Sequence, residues 1–129
     1  MGQEIIEPPV PAWIGVIGDK IFDSQILYDL ISELEKGGLV VAGIYADQAA
    51  VAGKLAIRWA QFNRCRYIST LPIDIENMSD LKIIYERNHG IINTTDIMLI
   101  FIDKQRSEST DNALRYCTKL KKVMYTCKE

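Results

Sequence analysis

Short apolar runs alternate along this chain with longer stretches whose apolar residues recur every three or four positions. "AWIGVIG" (12–18), "LVVAGIYA" (39–46), "RYIST" (66–70), "DIMLIFID" (96–103) and "KKVMYTC" (121–127) read as strands. "DIMLIFID" is unbroken rather than alternating, as expected of a parallel strand covered on both faces. Between the runs the spacing predicts helices. One starts at Asp23 or Ser24 and ends at Lys36, with Ile26, Leu27, Leu30, Ile31 and Leu34 on one face and Gly37 and Gly38 as its stop. A second covers Gln48 to Asn63, with Leu55, Ala56, Trp59 and Phe62 inward. A third runs from Ser79 or Asp80 toward Ile92, using Leu81, Ile84, Tyr85 and Asn88 or Ile91. The fourth is "SESTDNALRYCTKL", capped by Ser107, Ser109 or Thr110. "LPIDIENM" (71–78) reads as a loop.

Strand and helix thus alternate about five times. That pattern predicts an α/β three-layer sandwich around a parallel sheet, and right-handed crossovers favour the strand order 3-2-1-4-5. The start, "EPPVP", holds three prolines, which lack the amide hydrogen and fix φ, so it is not expected to join a central strand and reads as an extended arm over residues 1–12, with a single domain over 13–129. In such sheets a ligand sits beyond the carboxyl ends of the strands where the order reverses. Here that is between the first and fourth strands, at the loops "GDKIFD" and "DKQRSEST".

Composition narrows the function classes. At 129 residues and a formal charge of −2, the chain offers no global attraction to nucleic acid or anionic membranes. No apolar stretch reaches the roughly 20 residues of a membrane span, and the acidic, proline-bearing start is unlike a secretory signal. A cytoplasmic protein is expected. Cys65, Cys117 and Cys127 contain no C-x-x-C pair, and His89 is the one histidine. They read as small buried hydrophobes, with neither a disulfide framework nor a metal site expected.

The crevice residues carry the chemistry. "GVIGDK" is neither G-x-G-x-x-G nor a P-loop, so Gly15 and Gly18 can be tight-corner glycines or let a phosphate approach the backbone. Lys20 would add charge, and the next helix start would offer amides. Arg87, in "ERNHG", can be a surface charge near a helix end or a forked phosphate partner. His89 has no evident partner in the sequence and is assigned no chemistry. At "SEST" capping and anion binding can coexist.

Taken in order, "WIGVIGDKIFD", "LAIRWAQF", "YERNHGIINTTDIMLIFID" and "STDNALRYCTKLKKVMY" resemble the SLOG superfamily, which includes Smf/DprA and Lonely-Guy proteins, and most nearly its small YspA-like group. The resemblance covers about residues 13 to 126. It implies a Rossmann-like domain that binds a nucleotide or nucleotide-derived ligand, and homodimers. Crevice topology and the resemblance together give the ligand-binding set as Gly15, Gly18, Asp19, Lys20, Gly43, Arg87, Asn88, Ser109 and Thr110; Phe22 or Tyr45 can either contact a base or face into the core. The departures matter too. Asp19 and Lys20 replace Ser and Arg, "AGIYADQAAVAG" keeps Gly43 and offers Asp47 in place of a glycine-rich loop, and Ser109 replaces a glycine before Thr110. Arg87 matches the arginine of the Lonely-Guy catalytic pair, but Ala113 stands where its glutamate would be. Alanine cannot transfer a proton or stabilise a cation, so that hydrolysis is not expected and no catalytic residue is assigned.

Three readings follow. The first is a nucleotide-binding sensor, sequestering or accessory protein without catalysis or cofactor. The second is an N-glycosidase or deoxyribosyltransferase-like enzyme, which needs a crevice carboxylate from Asp19, Asp47, Asp103 or Asp111. The third is an interaction module that binds no small ligand. Nucleic-acid binding is disfavoured, since basic residues are scattered or matched by acids, and "KLKK" reads as a solvated edge.

Overall fold

Each apolar run pairs in parallel with a neighbour. In chain order the elements are β1 (Pro11–Gly18), α1 (Ser24–Lys36), β2 (Val40–Ala46), α2 (Val51–Phe62), β3 (Arg66–Ser69), α3 (Leu81–Thr94), β4 (Ile97–Ile102), α4 (Glu108–Leu120) and β5 (Val123–Lys128). The computed structural model describes residues 11–18, 24–47, 50–70, 81–104 and 106–128. The sheet order is β3-β2-β1-β4-β5, an α/β Rossmann-like layout. β1 is central, in register with β2 on one side (Ile14 with Ile44) and β4 on the other (Ile14 with Ile97).

Alternation along the central strands divides the core in two. Ile14, Val16, Ile44, Ala46, Leu99 and Phe101 pack with Leu27 and Ile31 of α1 and Ala56 and Trp59 of α2. Ile17, Met98, Ile100 and Ile102 turn the other way, onto Ile91 and Ile92 of α3 and Ala113 and Cys117 of α4. This is the arrangement right-handed crossovers produce when the strand order reverses after β3. No helix among the described residues is long and apolar enough to cross a membrane.

Two local expectations are corrected. Pro11 does enter a central strand, but as its first residue, where proline is tolerated. The strand start is then tied across the sheet: Trp13 N donates to an Asp96 carboxylate oxygen at 2.9 Å, and Asp96 N donates to Trp13 O at 2.9 Å. Phe62 does not face the core. It ends α2 with 86% of its surface exposed, while small residues, Ala52, Gly53, Ala56 and Ala60, hold α2 close to the sheet.

The cysteines are free thiols, with Cys117 and Cys127 buried and Cys65 half-buried. Burial pushes the Cys117 and Cys127 thiols up to about 11 from 9.0. The folded chain then holds these protons to higher pH than the unfolded chain does. Their stabilising contribution is complete below about pH 9 and is lost as pH rises through about 11. The melting temperature is expected to fall across that window, and less steeply in a Cys117→Ala/Cys127→Ala variant. Equal slopes in a thermal-melt series would show that these thiols do not contribute.

Candidate functional site

Beyond the carboxyl ends of β1 and β2, where α4 also starts, Gly18, Asp47, Ala50, Arg87, Asn88, Ser109 and Thr110 line a crevice with Val16 and Ile17. It holds about 30 Å³ of space, which suits a water molecule or one small group.

Arg87 lies in the middle of α3, since the helix continues to Thr94. Helical side chains lean toward the helix N-terminus. α3 runs antiparallel to the strands, so this lean carries the guanidinium toward their carboxyl ends. There Arg87 donates to the Asp47 carboxylate at 2.6 Å and to Asn88 Oδ1 at 3.2 Å. The pair is shielded, with side-chain exposures of 19% for Arg87 and 8% for Asp47. Among the described residues, Arg87 Nε is buried and has no hydrogen-bond partner.

The start of α4 supplies a second group of donors. Ser107 is its N-cap, in extended conformation, and its hydroxyl accepts from Thr110 N at 3.2 Å. The same hydroxyl lies 3.1 Å from Ser109 Oγ and 3.0 Å from Thr110 Oγ1. A helix start leaves its first amides without intrahelical acceptors, which here are those of Glu108 and Ser109. α2 adds a second helix start. Its N-cap is Ala50, which has no side-chain acceptor to offer, so no N-cap side chain closes the α2 start.

Gly18 belongs to the crevice wall, but its missing Cβ serves the sheet. Its φ is +132°, and a Cβ there would overlap the Phe101 carbonyl oxygen and stand 2.6 Å from the Phe101 amide nitrogen. Gly15 and Gly43 lie outside the crevice, inside their strands. Gly15 makes room for Met98 and Ile91, and Gly43 lies under the Trp13 ring. The structure therefore brings Gly18, Arg87, Asn88, Ser109 and Thr110 together and keeps Gly15 and Gly43 apart from them. Asp19, Lys20 and Phe22 lie outside the described residues.

The other candidate carboxylates differ. Asp103 accepts from Lys104 N at 2.7 Å, and Asp111 is paired with Arg106 at 3.0 Å on an exposed surface. Of these acids only Asp47 lines the crevice, and Arg87 neutralises it. Ala113 is fully buried in the core against α3. His89 faces away from the crevice residues, with Nε2 2.8 Å from Asn112 Oδ1 and its ring against Tyr116. Among the described residues no cluster of histidine, cysteine and acidic side chains is placed to hold a metal ion.

Asp47 and Gly53 are the contributions that sequence reasoning underrated. Gly53, in the first turn of α2, lets that helix start rest on the Asp47 backbone, where a Cβ would stand 2.7 Å from the Asp47 carbonyl carbon. The available signal was the run "DQAAVAG", whose small residues permit such an approach. Compared with known proteins, the chain matches no family model and no curated sequence.

Proposed function

We propose that this protein binds the anionic end of a nucleotide or nucleotide-derived small molecule in the crevice, as a sensor, sequestering or accessory protein of the SLOG type. The observation that carries the reading is Arg87, a shielded guanidinium with an unpartnered Nε–H, beside the starts of α2, which has no side-chain N-cap, and of α4. A buried donor left unpaired costs about 1–3 kcal/mol, which an anionic oxygen would recover. Helix starts favour the same charge. The small volume fits one anionic group, so the base and sugar would lie outside it.

Arg87→Ala tests this reading. A hydrogen bond to a charged group is worth roughly 1.5–3 kcal/mol, so the variant is expected to bind nucleotide about ten- to a hundredfold more weakly in calorimetry. Equal affinity in Arg87→Ala and the parent would remove the anion site.

Asp47 favours a second reading, since a nucleoside N-glycosidase or transferase needs a carboxylate in this position. Its ion pair with Arg87 makes it a better holder of hydroxyls or of Arg87 itself than an acid or base. Chromatography for base released from nucleosides and nucleotides separates the readings.

Self-association is part of the proposal. Phe62 stands fully out from α2, and Tyr67 and Ile68 are exposed on the nearby edge strand β3. Apolar surface of this kind marks interfaces. Phe62→Glu is expected to convert a dimer to a monomer in analytical ultracentrifugation with little change in melting temperature. A parent that is monomeric at every concentration would end this part of the proposal.

A further inference from the structure

A larger hollow, about 460 Å³, lies between α3 and α4, lined by His89, Asn112, Arg115, Tyr116, Lys119 and Leu120. Its size falls within the range of about 300–1,000 Å³ usual for small-molecule sites. The five α4 residues form one stripe at helical spacing, beside the face that buries Ala113 and Cys117, with Tyr116 packed against that core. The hollow is distinct from the crevice. Arg87 and Asn88 line one and His89 the other.

Two properties point to a class of ligand. The floor is aromatic and held in place. The His89 and Tyr116 ring centroids lie 3.8 Å apart with the rings tilted at 51°, so they form an angled aromatic corner; His89 Nε2 is 2.8 Å from Asn112 Oδ1, and Tyr116 OH donates to Asn93 Oδ1 at 2.8 Å. Leu120 extends the apolar surface. The rim is positive: Arg115 and Lys119 lie one helical turn apart, and no acidic residue among the described residues lines the hollow. In a chain of net charge −2, two neighbouring cations at the edge of an aromatic floor are a local departure. We propose that this hollow is a second ligand site, for a small anion bearing a flat aromatic ring, such as an aryl phosphate or aryl carboxylate. The ring would rest on His89, Tyr116 and Leu120, and Arg115 and Lys119 would hold the anionic group. Exposed charges are screened by salt, so affinity should fall as ionic strength rises.

His89 is the chain's one histidine, so its ring protons report on the site in a proton NMR spectrum without assignment. The probe is 4-fluorophenyl phosphate, with inorganic phosphate and 4-fluorobenzyl alcohol as its two halves, all at matched pH. The whole probe is expected to shift the His89 signals saturably, and each half to bind roughly tenfold more weakly or worse. Arg115→Gln/Lys119→Gln, with both changes at exposed positions, should weaken the probe about tenfold while keeping the parent's dispersion of signals. Lys119→Ala alone should give an intermediate loss, and Arg87→Ala should leave the His89 response unchanged. Three results would overturn the proposal: no saturable shift, equal binding by the double variant and the parent, or equal binding by inorganic phosphate and the probe. Loss of the response in Arg87→Ala would also overturn it, by moving the probe to the crevice. The nucleotide reading of the crevice can fail or hold without changing any of these outcomes.

Discussion

Gly18→Val is expected to lower the melting temperature by roughly 10–20 °C, with or without any ligand. Two costs add. A β-branched residue at a φ of +132° is strained by about 1–3 kcal/mol, and crowding of the Phe101 backbone adds a similar amount. The overlap begins at Cβ, so Gly18→Ala should already lose about half of this. Against a total stability of about 5–15 kcal/mol, the valine variant approaches the limit of folding. Thermal melts of both variants check it. An alanine variant as stable as the parent would show that the corner tolerates a side chain, and would return Gly18 to the list of residues kept for a ligand's sake.

Asp47→Ala is expected to cost about 2–4 kcal/mol in urea denaturation. Breaking a buried ion pair by removing one partner is worth about 3–5 kcal/mol, because the remaining charge stays out of water. The 19% exposure of Arg87 reduces that figure. Asp47→Ala/Arg87→Met removes both charges and should be less destabilised than the single variant. The orphaned guanidinium should also make Asp47→Ala recover stability in phosphate more than the parent does, since an anion that binds only the folded state stabilises it. If the single and double variants lose the same stability, the loss comes from packing and not from an unpaired charge.

The contrast between these positions shows what a single sequence makes legible. The sheet order followed from five apolar runs separated by helical spacings, since a run covered on both faces has few other structures open to it. The same order pointed to the ends of the first and fourth strands, whereas the crevice among the described residues also reaches over the end of β2 through Asp47 and Ala50. Pro11 was misjudged because a proline at the first residue of a strand leaves no ladder bond unmade. Phe62 was misjudged because it shares a helical face with Leu55 and Trp59 but falls on the last residue of α2, past the sheet's cover. The ion pair between Asp47 and Arg87 joins residues 40 apart, and no local pattern links an acid at a strand end to an arginine in the middle of a later helix. Gly15 and Gly43 carry the same letter as Gly18, but the neighbours that explain them, Met98 and Trp13, come from other strands.

The close fit of Gly18 against Phe101 also determines how an evolutionary comparison of such chains should be read. Any descendant that keeps this sheet must keep a glycine there, whether it binds a nucleotide, binds something else or binds nothing. Invariance at position 18 is therefore a record of architecture and carries no information about ligand. Positions 47 and 87 are different, because their charges can be exchanged or lost together without disturbing the strands. Lineages in which that pair changes in concert would mark a change in the charge of the crevice itself.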